Sequence, residues 1–75
     1  MNGYQILIAS LPDRDSVVAE IYVGDAQFAE VRRDHGDSFH VEIYARPQEL
    51  AWEIPYDDLV HLLAAARDAL IGKVN

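Results

Sequence analysis

The sequence predicts an α+β fold, in which an antiparallel β-meander of four to five strands carries one C-terminal α-helix packed on one face. Residues 17–23 and 39–45 alternate with a period of two, which is typical of strands with one buried face. From residue 57 onward, apolar residues recur instead at helical spacing. Short turns between strands favour antiparallel neighbours. We therefore predict a single domain over residues 1–75, with the sheet at about 4–54 and the helix at about 57–71.

The first half of the sheet is predicted from two apolar stretches and the segments that follow them. Strand one spans residues 4–9 and strand two spans 17–23, with the polar residues 11–16 as their connection. Gly24 and Asp25 then indicate a tight turn, because glycine reaches positive φ freely and aspartate tolerates turn geometry.

The second half continues the meander. Strand three is predicted at about 27–33, and residues 35–37 (His-Gly-Asp) provide the next turn. Strand four spans 38–45, and a short fifth strand over 51–54 is the reason for predicting either four or five strands.

One face of the sheet is expected to form the core under the helix. Its predicted members are Ile6, Ile8, Val17, Ala19, Ile21, Val23, Phe39, Val41, Ile43 and Ala45, with Trp52 and Ile54 closing the end nearest the helix. In strand three we favour Ala29 and Val31 inside, since burying Glu30 without a partner is costly. A bulge would bury Phe28 as well, and this alternative stays open.

The C-terminal segment predicts an amphipathic helix from Asp57 to Ile71. Its apolar stripe consists of Leu59, Leu62, Leu63, Ala66 and Leu70. Asp57 and Asp58 occupy the first turn, where negative charge is favourable to the helix dipole. Gly72 is placed where a left-handed C-terminal cap is expected.

Composition narrows the classes of function. The chain has no cysteine, which excludes disulfides and thiolate zinc sites and fits a cytoplasmic location. Its formal charge of −7 is spread along the sequence, so we expect no nucleic-acid binding, which depends on clustered lysine and arginine. The apolar stretches are too short for a signal or membrane helix, and we expect no membrane association.

The face of the sheet away from the helix is the candidate contact surface. Glutamate, histidine and aromatic side chains are expected together there: Glu20, Tyr22, Phe28, His40, Glu42 and Tyr44. One helix cannot cover both faces, and exposed aromatic patches usually mark interfaces. We therefore predict a small acidic protein-binding module that acts through this face, with a protein partner or a second copy as a homodimer.

Catalysis is the weaker alternative. A histidine beside a carboxylate, as in His40 and Glu42, can serve as a general base or a metal ligand. An open sheet face lacks the concave pocket that catalysis normally requires, and no nucleophile, metal or phosphate-loop motif accompanies the pair. We therefore predict a protein that is not an enzyme, with no cofactor and no metal.

The segment Trp52-Glu53-Ile54-Pro55-Tyr56-Asp57-Asp58-Leu59, which leads into Leu62-Leu63 and the final helix, resembles the ending of many short uncharacterised bacterial proteins. The acidic balance and the strand meander also resemble the small immunity proteins that neutralise toxins in bacterial competition. This resemblance implies binding rather than catalysis, and it adds an immunity-type inhibitor of a basic toxin as an alternative function.

Overall fold

The computed structural model describes residues 3–10, 17–34 and 38–74. Its elements in chain order are β1 (Tyr4–Ser10), β2 (Val17–Val23), β3 (Ala26–Arg33), β4 (Phe39–Ile43), a short 3-10 helix (Pro47–Glu49) and α1 (Tyr56–Val74). The strands form one antiparallel sheet in the order β1-β2-β3-β4, with α1 packed against it. The predicted α+β meander is confirmed. The predicted connection at 11–16 and the predicted turn at 35–37 lie outside the described residues.

The predicted fifth strand is wrong, because residues 51–54 adopt no strand conformation. Side-chain contacts hold this segment in place of a backbone ladder. The Trp52 indole N–H donates a hydrogen bond to the Tyr44 carbonyl at 2.8 Å. The indole ring also meets the Phe28 ring edge-on, with 5.2 Å between centroids. Trp52 thus closes one end of the core, as predicted, without extending the sheet.

The core lies between α1 and the sheet. It joins one stripe of the helix to the helix-facing side of β2 and β3, and its buried members are Ala19, Ile21, Phe28, Ala29, Val31, Leu62, Ala66 and Leu70. Burying each large aliphatic side chain contributes about 1.5–3 kcal/mol. The helix packs mainly over β2, with β3 and β1 on either side. The Tyr4 hydroxyl donates to Asp58 Oδ2 at 2.9 Å and so ties the first turn of α1 to β1.

A β-bulge determines which side chains of β3 face the helix. Ile21 pairs with Ala29 whereas the next residue, Tyr22, pairs with Gln27, so Phe28 is the extra residue of the bulged strand. Ala29 and Val31 are buried, as we predicted. Phe28 is only 4% exposed and belongs to the core, which corrects the expectation that it lies on the outer face. The open alternative of a bulge that buries Phe28 is the one observed.

Strand β4 corrects a second expectation. Val41 and Ile43 lie on the same side of the sheet as the helix, but they are 40% and 61% exposed. Ala45 is exposed as well. Of the residues that were predicted to face the core from strand four, only Phe39 packs against it. An α-helix is about 10 Å wide and strands lie about 4.8 Å apart, so one helix covers two or three strands. Because α1 is centred on β2, the fourth strand lies at its margin.

The sequence predicted a turn at Gly24 and a helix cap at Gly72, and the two glycines differ in backbone conformation. Gly24 has φ of 62° in the β2–β3 turn, and its N–H donates to the Gly3 carbonyl at 2.7 Å. Gly72, by contrast, lies inside α1 and does not form the predicted cap.

Within the described residues, no helix is both long and apolar enough to cross a membrane.

Candidate binding face

The outer face of the sheet, meaning the side away from α1, carries a row of three glutamates. Glu20 of β2 pairs with Glu30 of β3, and Glu30 pairs in turn with Glu42 of β4. Directly opposed residues on one face have Cβ atoms about 4.5–5.5 Å apart, and like charges at that distance repel. We call these three residues the acidic row. Such a row requires a compensating cation.

Arg32 supplies that cation. Its Nη1 donates to Glu42 Oε1 at 3.1 Å and lies 3.6 Å from Glu30 Oε2. Glu30 is only 7% exposed, so its carboxylate depends on this neighbour more than an exposed glutamate would. Three glutamates against one arginine still leave the row negative.

Two tyrosines accompany the acidic row, and both are half-buried. The Tyr22 hydroxyl donates to Glu20 Oε1 at 3.2 Å. Burial raises the pKa of Tyr44, and the charges of Glu30, Glu42 and Glu20 raise it further, while Arg32 opposes them. Burial and the charge of Glu20 raise the pKa of Tyr22 as well. Both side chains are rings with a polar tip, which is the character that favours tyrosine in interfaces.

His40 lies at the margin of this face. Its Nδ1 is 4.0 Å from Asp34 Oδ2, and about half of its side chain is exposed. Glu42 meanwhile accepts the hydrogen bond from Arg32. The two members of the candidate catalytic pair thus have different partners. Among the described residues, no cluster of three or more histidine or acidic side chains is arranged to hold a metal ion.

The opposite side of the sheet holds a feature that the sequence reasoning missed. A groove of about 350 Å³ opens between β4 and α1, and it is lined by Val31, Phe39, Val41, Val60, Leu63, Ala64 and Arg67. Of these residues, Val31, Phe39, Val41 and Leu63 belong to the predicted core, so the groove opens where we expected α1 and β4 to be in contact. The width of one helix against a four-stranded sheet is the signal that would have indicated a gap.

Of the predicted interface residues, the structure brings together Glu20, Tyr22, Glu42 and Tyr44 around the centre of the outer face, with His40 at its edge. Phe28 is excluded by the bulge. Glu30 and Arg32 complete the face, although neither was among the predicted residues. Glu30 and Arg32 alternate with Ala29 and Val31 in the sequence, and this alternation could have placed them on the outer face.

The chain matches no protein-family model, no curated protein and no solved structure.

Proposed function

We propose that this chain is a small acidic protein-binding module of the cytoplasm that contacts a protein partner through its outer sheet face. The observation that carries the proposal is the position of α1, which packs on the other face, so that Glu42 of the acidic row is exposed and Glu20 is partly exposed, while Glu30 and Val18 on the same face are buried. Tyr22 and Tyr44 add apolar area to that side.

The chemistry of the face favours a basic partner. Carboxylates of Glu20 and Glu42 can accept hydrogen bonds from arginine or lysine side chains, and the overall charge of −7 would steer such a partner toward the chain. Steering of this kind raises the association rate and weakens as salt is added.

An immunity-type inhibitor of a basic toxin is the sharper form of the same proposal. The exposed Glu42 and the partly exposed Glu20 support it, because a protein that neutralises a basic toxin must present negative charge on an accessible surface. A neighbouring gene whose product kills cells when expressed alone, and not when expressed with this chain, is the expected finding. A harmless neighbour would count against the toxin.

Catalysis by His40 and Glu42 has less support. Glu42 is engaged by Arg32, His40 stands beside Asp34, and the groove opens on the other side of the sheet.

The test compares two double variants of the outer face with a helix control of matched charge. Once a partner is identified, Tyr22→Ala with Tyr44→Ala should weaken its binding by about tenfold or more. Glu20→Gln with Glu42→Gln should weaken binding and also flatten its dependence on salt. The control, Asp57→Asn with Asp68→Asn, removes the same charge from exposed positions of α1 and should leave the affinity within about twofold. Equal affinities for all three would exclude the outer face as the contact surface.

A further inference from the structure

We propose that two copies of this chain pair through the free edge of β4, which joins their sheets into one continuous eight-stranded sheet. β4 is the last strand of the sheet, so one of its edges has no partner among the described strands. Edge strands with unpaired backbone groups are templates for further pairing. This inference shares His40 and Glu42 with the outer face, but its decisive variants change Val41, which lies on the helix side of the sheet, so it can fail or hold independently of the outer-face partner.

Two hydrogen bonds establish which backbone groups face the free edge. The Tyr44 N–H donates to the Phe28 carbonyl and the Asp34 N–H donates to the Ser38 carbonyl, in the same register as the β3–β4 ladder. In an antiparallel pair, bonded and non-bonded positions alternate. Even-numbered residues of β4 therefore bond to β3. The N–H and C=O groups of Phe39, Val41 and Ile43 point to the open side.

The sequence of β4, Phe-His-Val-Glu-Ile, is self-complementary about its central residue. An antiparallel pair centred on Val41 places Phe39 opposite Ile43 of the partner subunit, so an apolar side chain meets an apolar one. It places His40 opposite Glu42 of the partner subunit, so a carboxylate meets an imidazole. Val41 itself bonds to the partner's Val41 through both of its free backbone groups.

Other two-fold registers are less favourable. A pair centred on Glu42 would oppose two carboxylates directly, and like charges in that position repel. A pair centred on His40 would oppose two histidines and leave Ile43 without a partner. Of these three registers, charge and apolar matching both favour the one centred on Val41.

Exposure distinguishes β4 from the other edge strand, β1. The helix-side residues of β1, Tyr4, Ile6 and Ile8, are half-buried against the core. Those of β4 include the exposed Val41 and Ile43, beside the apolar groove. Pairing two β4 strands would bring these four exposed side chains together and remove part of their surface from water, which is favourable.

The geometry has two consequences. A two-fold axis perpendicular to the sheet keeps both helices on one side and both outer faces on the other, so the dimer would present two acidic rows on one surface. A pair of five-residue strands also buries a modest area, so we expect a dissociation constant on the order of micromolar.

The decisive variant is Val41→Pro. The Val41 N–H bonds to nothing in the β3–β4 ladder, and proline is tolerated on an edge strand whose N–H faces outward. We expect this variant to keep the circular dichroism spectrum of the native chain and to sediment as a monomer, while the native chain forms a dimer with increasing concentration. Two further variants change the charge at His40, opposite Glu42 of the partner subunit. His40→Glu should weaken the dimer about fivefold or more, and His40→Lys should tighten it about twofold or more.

Cross-linking keeps the proposal testable even if Val41→Pro fails to fold. The chain has no cysteine, so a single introduced thiol reports one position. Val41→Cys places two thiols about 5.5 Å apart by their Cα atoms in the proposed register, within disulfide range. Oxidation should give a covalent dimer, and the control Leu7→Cys, exposed on β1, should give none.

Three results would overturn the proposal. One is a native chain that stays monomeric to high micromolar concentration, including the case in which a foreign peptide strand adds to β4 instead. Another is a dimer that persists unchanged in His40→Glu and in a folded Val41→Pro. The third is cross-linking through Leu7→Cys and not through Val41→Cys.

Discussion

Glu30 shows how a single charged residue is accommodated near the middle of this sheet. It is buried between Glu20 and Glu42, and two like charges on neighbouring strands would repel it if nothing compensated. Arg32, two positions along the same strand, reaches both Glu30 and Glu42. Within the described ranges, Arg32 is thus the cation that compensates the buried Glu30.

We expect Arg32→Met to lower the free energy of unfolding by about 1–3 kcal/mol, because the buried carboxylate of Glu30 would lose its ion pair with Arg32. Adding Glu30→Gln to Arg32→Met should restore part of the loss. The control is Arg67→Met on α1, whose exposed ion pair with Asp68 should contribute less than about 1 kcal/mol. Urea denaturation measures all four proteins, and equal losses for the two arginine variants would contradict the special position of Arg32.

The tyrosines of the outer face predict a dependence on alkaline pH. Burial and the acidic row raise the pKa of Tyr44 above its ordinary value of 10.0. Since the folded pKa is the higher one, the folded chain binds more protons between the two values. The stabilisation is complete below pH 10.0 and is lost as pH rises through the folded pKa. The difference in unfolding free energy between the native chain and Tyr44→Phe should therefore be constant below that pH and fall above it; parallel curves would contradict this.

At the level of the elements, the contrast between α1 and β4 separates what could be predicted from what could not. Each strand and the helix were predictable because their periodicities are local properties of the sequence. The coverage of β4 was not, because it depends on where the helix axis crosses the sheet. The alternation at Val41 and Ile43 is that of a buried strand, yet the helix that would bury them lies over β2.

The bulge at Phe28 is a second case of this kind. The extra residue reverses the side of the sheet that the preceding side chains of β3 face. No local sequence pattern marks the position of the bulge. The contact that stabilises it comes from Trp52, far along the chain. The candidate site was also predictable only in part. Alternation along the strands places four of its residues on the outer face: Glu20, Tyr22, Glu42 and Tyr44. The roles of Glu30 and Arg32 require the register of three strands, which the sequence does not show.

Two positions of α1 test its packing directly. Leu62 is 1% exposed and Val60 is 46% exposed, although they are two residues apart. We expect Leu62→Ala to cost about 2–5 kcal/mol, because it leaves a cavity in the core. Val60→Ala should cost about 0.5 kcal/mol or less in thermal or urea denaturation. Similar losses at both positions would mean that α1 is rotated relative to the sheet.

The whole molecule is dominated by its charge of −7. Mutual repulsion of the acids destabilises the compact state, and dissolved salt screens it over a Debye length of about 10 Å at 0.1 M. We expect moderate sodium chloride to raise the midpoint of urea denaturation at neutral pH. Asp57→Asn with Asp68→Asn, which lowers the charge, should show a smaller rise. A midpoint that falls with salt would mean that the Arg32 ion pairs outweigh the general repulsion.

The hydrogen bond between Tyr4 and Asp58 joins residues 54 positions apart, and it has a consequence for the chain during its synthesis. The four strands can pair through neighbouring segments as they leave the ribosome, but the helix that covers their apolar side is translated after them. Until α1 emerges, Ile21 and Val31 lack the helix that covers them in the folded chain, and we expect holdase chaperones to bind the nascent sheet. Ribosome-bound chains that carry residues 1–55 followed by a linker should bind such chaperones, and chains that carry residues 1–75 followed by the same linker should release them.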